Sequence, residues 1–88
     1  MELAGKVASA ERSDNALDVL VEIALFEPCD RFVAVRANNA GSKVIYTRAD
    51  GSEVTYRAQD WTMAERRSNT ATQLRARHAL ALSKGSEG

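Results

Sequence analysis

Between Asn15 and Phe26 the chain reads NALDVLVEIALF, a run of apolar residues interrupted only by Asn15, Asp18 and Glu22. Polar residues three and four apart mark a helical period, which predicts a helix over Asn15–Phe26. Asp14, or Ser13 before it, is the expected N-cap, since either side chain accepts from the open amides of the first turn. Pro28 ends the helix by removing a donor and by pushing Glu27 away from the helical conformation. A helix lying on one sheet face needs an apolar arc of only ~100°. This one has far more, with Asn15, Asp18 and Glu22 as a narrow polar stripe. The surplus is covered either by the N-terminal segment and a C-terminal helix, or by a second copy or a partner protein. In the second case the contact residues are Leu17, Val19, Leu20, Ile23 and Phe26, and the chain is a homodimer or binds a protein.

Beyond Pro28 the period shortens to two. Asp30–Ala37 (DRFVAVRA) predicts a strand with Phe32 and Ala34 on one side and Val33 and Val35 on the other. Apolar residues on both sides suggest a strand covered on both faces or central in a sheet. NNAGS at 38–42 is a loop. Lys43–Arg57 (KVIYTRADGSEVTYR) then predicts a β-hairpin around Asp50-Gly51. A two-residue loop splits the apolar residues between the faces. A three-residue loop, Ala49-Asp50-Gly51, with Gly51 in a left-handed bulge, pairs Tyr46 with Val54 and Val44 with Tyr56. All four then share one face, and because a one-residue slip inverts every side chain, the hydrophobic pattern selects this register. Both tyrosines become core residues.

Thr62-Met63-Ala64-Glu65 matches a capping box and predicts a helix over Met63–Ser83, with Gly85 as its stop. Its apolar stripe is weak in the first half, where RRSNTATQ at 66–73 is rich in poor helix formers. Trp61 reads as a buried anchor between hairpin and helix. Residues 1–12 read as a weakly ordered arm or a short helix, and 84–88 as a disordered tail. The fold class is therefore α+β, in the order α-β-β-β-α, with an antiparallel three-stranded meander packed against helices in a single domain, 1–88. The hairpin and the helix after it resemble the plan of small phage head–tail joining proteins, over KVIYTRADGSEVTYR and without a diagnostic motif.

Composition narrows the class. The chain has 88 residues, 44% hydrophobic and 27% charged, which suits a small globular domain with a thin core. No apolar run approaches the ~20 residues that span a bilayer, and no membrane association is expected. One cysteine, Cys29, allows no internal disulfide and fits a reducing compartment, as in a cytoplasmic bacterial or phage protein. The net charge of zero hides a gradient. Residues 1–30 hold seven acids against two bases, net −5, and residues 61–88 hold five bases against two acids, net +3. Such separation makes either a basic binding face or two mutually attracting elements.

Candidate chemistry is sparse. His78 is the only histidine and stands beside Arg77, with no metal-ligand spacing around it. Cys29 is next to Asp30, which opposes thiolate formation, so a buried structural role is expected. The glycines form no phosphate loop. Glu53 and Asp60 are the one conceivable carboxylate pair, and read as surface charge. No catalytic residue, metal or cofactor is assigned. Nucleic acid is the alternative partner, bound by Arg66, Arg67, Arg75, Arg77 and Lys84 with Tyr46, Tyr56 and Trp61 stacking on bases. Against it, the basic residues do not make one stripe. The leading expectation is a non-catalytic interaction or oligomerisation module.

Overall fold

The computed structural model describes residues 2–87, with side chains described for residues 2–80. The elements are α1 (Leu3–Ala8), α2 (Asn15–Leu25), β1 (Ala34–Ala37), β2 (Val44–Thr47), β3 (Glu53–Tyr56) and α3 (Arg67–Glu87), an α+β fold in the order α-α-β-β-β-α. The three strands form an antiparallel meander with β2 at its centre. The expected plan therefore holds, with α1 added in front of it.

The hairpin takes the bulged form. Val44 pairs with Tyr56 and Tyr46 with Val54, Gly51 sits at φ +89°, and its amide donates to the Arg48 carbonyl at 2.9 Å. Asp50 completes the turn by accepting from the Ser52 amide and hydroxyl at 2.8 and 2.6 Å. Those bonds hold its carboxyl below the usual carboxylate range. Val35 and Ala37 of β1 oppose Tyr46 and Val44, so one sheet face gathers the apolar side chains. That face packs on α2 through Val19, Ile23, Val44 and Ala58.

The strand at 30–37 is shorter than expected and lies at an edge. Val33 and Ala34 both face Thr47, the first through an amide bond of 2.8 Å, so the pleat is broken there by a bulge. The break turns Phe32 to the helix side, where its ring meets Tyr46 at 4.9 Å. Among the described residues no element covers the other sheet face, where Arg36 and Glu53 pair at 2.8 Å. The expectation of cover on both faces of β1 is thus corrected.

On its other flank α2 meets α1 and α3. Ala4, Val7, Val21, Ala71 and Leu74 form a second buried cluster, with Leu3, Leu25 and Trp61 against it. Six residues of α1 are too few to be stable as an isolated helix. Docking of Ala4 and Val7 against α3 supplies what helix propensity does not.

The largest departure from expectation concerns the start of α3. Thr62 is not its cap. The Thr62 amide and hydroxyl both donate to Asp18 Oδ1 at 2.8 Å, and the hydroxyl accepts from the Asp14 amide at 2.7 Å. With that oxygen committed to α2, residues 61–66 form turns and α3 begins at Arg67. The Thr70 hydroxyl donates to the Trp61 carbonyl at 2.9 Å, tying these turns to the helix. Polar residues 66–73 do not break α3, because Thr70 and Ala71 are its buried contacts. The backbone helix runs past Gly85 to Glu87. Of the expected tail at 84–88, the side chains and Gly88 lie outside the described residues.

Candidate functional site

Asp18 and Glu22, two members of the narrow polar stripe, point inward. Asp18 is 3% exposed. Glu22 accepts from three groups: the Tyr46 hydroxyl, the Trp61 indole Nε1 at 2.6 Å and the Gln59 amide at 3.3 Å. The segment 58–62 crosses beneath α2 with donors that need acceptors, and two carboxylates one turn apart supply them. Asn15, the third member of the stripe, donates from its side chain to the Ser42 carbonyl at 2.9 Å. Turning the stripe inward leaves an apolar face outside. Ala16, Leu20 and Ala24, four residues apart, form an exposed line along α2, with Leu20 47% exposed.

The five proposed contact residues are divided by this geometry. Leu20 lies fully on the outward line, with Leu17 and Ile23 half-buried on its flanks. Val19 is enclosed against Val44 and Ala58 and presents nothing to a partner. Phe26 leaves the line and turns its ring to Tyr46, 5.9 Å between centroids.

That ring belongs to a groove of about 510 Å³, walled by Phe26, Phe32, Tyr46 and Tyr56, with Cys29 and Arg57 at its rim. Tyr46 is the hub, with Tyr56 edge-on to it at 5.7 Å. Only Tyr46 behaves as a core tyrosine; Tyr56, at the end of the last strand, is 41% exposed. Burial and the bond to Glu22 push the Tyr46 hydroxyl well above its ordinary value of 10.0. The phenol thus stays protonated at neutral pH and donates to the Glu22 carboxylate. Cys29 is exposed, contrary to expectation, because the turn closed by its amide on the Phe32 carbonyl at 2.8 Å lifts it to the rim. Around it the groove combines the four aromatic rings with the charged side chains of Glu22, Glu27, Arg31 and Arg57.

The four arginines of the alternative site each have a contact within the chain, and Arg75 and Arg77 line one cleft. Arg66 stacks on the Trp61 ring at 4.6 Å, and Arg67 donates from Nε to the Thr62 carbonyl at 2.7 Å. Arg75 lies 3.9 Å from Glu2. Arg77 pairs with Glu27 and donates to the Phe26 carbonyl at 3.2 Å, closing the C-terminus of α2. The side chain of Lys84 lies outside the described residues. The charge gradient along the sequence is thus closed in part within one chain, acids of the first third meeting bases of α3. His78 is exposed at the mouth of a cleft of about 420 Å³ between α1, Ala24 and α3. Glu53 and Asp60 are each paired with an arginine, Arg36 and Arg57.

Among the described residues no three His, Cys, Asp or Glu side chains gather as a metal site, and no helix is long and apolar enough to cross a membrane. Comparison with family models, with curated proteins and with solved structures finds no match.

Proposed function

We propose that this chain is a non-catalytic assembly module, which associates with protein, in the first instance a second copy of itself, through apolar surface that its own elements leave uncovered. The observation that carries this reading is the outward line of α2. Ala16, Leu20 and Ala24 face solvent with no charged side chain among them, while the carboxylates of the same helix are spent inside. A helix that turns its acids inward and its leucine outward has the polarity of a contact surface. The free, exposed Cys29 favours a reducing, cytoplasmic setting for such a module. Light scattering across a concentration series tests the reading. A mass of at least two chains is expected, and a single-chain mass at the highest attainable concentration overturns self-association.

A further inference from the structure

The strand β3 ends the sheet, and among the described residues no strand pairs with its outer edge. The hairpin bond from the Arg48 amide to the Ser52 carbonyl, 2.8 Å, fixes which residues face β2. By the alternation of an antiparallel ladder, Val54 and Tyr56 turn their backbone groups to β2, whereas Glu53 and Thr55 turn theirs outward. Arg57, directly after the strand, continues the outward set. Among the described residues β3 packs against β2, with Glu53 reaching across to Arg36 of β1, and α2 lies over β1 and β2. Among the described residues no helix overhangs the edge, and the exposed Tyr56 ring stands beside it. The edge carries no proline and no bulge; what guards it is its four-residue length and the charges of Glu53 and Arg57.

We infer that β3 pairs antiparallel with β3 of a second copy, about a two-fold axis at Thr55, to give one six-stranded sheet. This rests on the reading of the chain as self-associating, but places the contact at a surface other than the outward line of α2. The register follows from charge. Outward-turned residues must oppose one another, which allows axes at Val54, Thr55 or Tyr56. An axis at Val54 sets Glu53 against Thr55, and one at Tyr56 sets Thr55 against Arg57. The axis at Thr55 sets Glu53 against Arg57 of the second copy, and Arg57 against its Glu53, so both ends of the pairing are charge-matched. Glu53 remains 45% exposed beside its bond to Arg36, and Arg57 78% exposed with Asp60 3.8 Å away, so each can reach a second copy while keeping its partner in the chain. On the helix side the same register lays Val54 of each strand beside Tyr56 of the other, covering the ring that the single chain leaves in water. The two helix layers then lie on the same side of the joined sheet, separated by the width of the two β3 strands.

The test is a charge exchange read by sedimentation or light scattering, with far-UV circular dichroism to establish the fold of each variant. Glu53→Arg and Arg57→Glu, made singly, each replace two attractions by two repulsions and are expected to weaken dimerisation by about tenfold or more. Mixing the two variants restores both pairs in a heterodimer, and the double variant E53R/R57E restores them in a homodimer. Thr55→Pro removes an outward amide that the hairpin does not use, so it is expected to keep the monomer fold and abolish the dimer. A dimer indifferent to these changes but lost in Leu20→Glu overturns the β3 pairing and leaves the assembly reading standing on α2. Failure of the mixed or doubly exchanged variants to recover the dimer overturns the register. A wild-type chain of single mass overturns both inferences.

Discussion

Asp18 on α2 holds Thr62 twice, by its amide and by its hydroxyl, each at 2.8 Å, with both residues almost fully buried. The Thr62 hydroxyl in turn accepts from the Asp14 amide, so the first turn of α2 and the approach to α3 are one hydrogen-bonded unit. Asp18→Ala leaves a buried amide and hydroxyl without an acceptor, and is expected to cost about 3 kcal/mol in urea denaturation. Asp18→Asn keeps an acceptor oxygen and is expected to cost about half that. Thr62→Val and Asp18→Ala should be strongly non-additive in a double-mutant cycle. Additive losses would show that the two side chains act separately.

That contact also marks the boundary of what the sequence discloses. The bulged hairpin was legible because its determinants are local: Asp50-Gly51 sets the turn, and the alternation of Val44, Tyr46, Val54 and Tyr56 sets the register. The extent of α2 was legible for the same reason. Its orientation was not. Periodicity reports which residues share a face, so it groups Asn15, Asp18 and Glu22 in one stripe without saying which way the stripe points. What turns it inward is the demand of the Gln59 and Thr62 amides and the Trp61 indole for acceptors, a relation between residues nearly forty or more positions apart. The capping box at Thr62 failed through the same competition, its hydroxyl being taken by α2. The groove was hidden because Phe26, Phe32, Tyr46 and Tyr56 arrive from separate segments, with a bulge at Val33 and Ala34 needed to bring Phe32 round.

Val7 gives α1 its place in the fold. It is fully buried with Ala4, Val21, Ala71 and Leu74, although its helix has only six residues. Val7→Ala is expected to lower unfolding stability by about 1–3 kcal/mol, the range for methyl deletions in a packed core. Lys6→Ala, on the exposed side of the same helix, should stay within about 0.5 kcal/mol. Equal and small effects at both positions would mean that α1 adds nothing to the core.

Tyr46 makes stability fall at alkaline pH. Burial comes first, then its bond to the Glu22 carboxylate and the negative charge there, all favouring the protonated phenol in the folded chain. Unfolded, the same group titrates near its ordinary value of 10.0. Above about pH 10 the unfolded state therefore holds fewer protons than the folded state, and stability declines as pH rises. Below that pH the contribution is complete. Tyr46→Phe removes the titration together with the hydrogen bond to Glu22. It is expected to cost about 1–2 kcal/mol near neutral pH and to flatten the alkaline decline. Urea midpoints for the two proteins, compared at about pH 8 and about pH 11, measure the difference. Parallel declines would assign the alkaline loss to groups other than Tyr46.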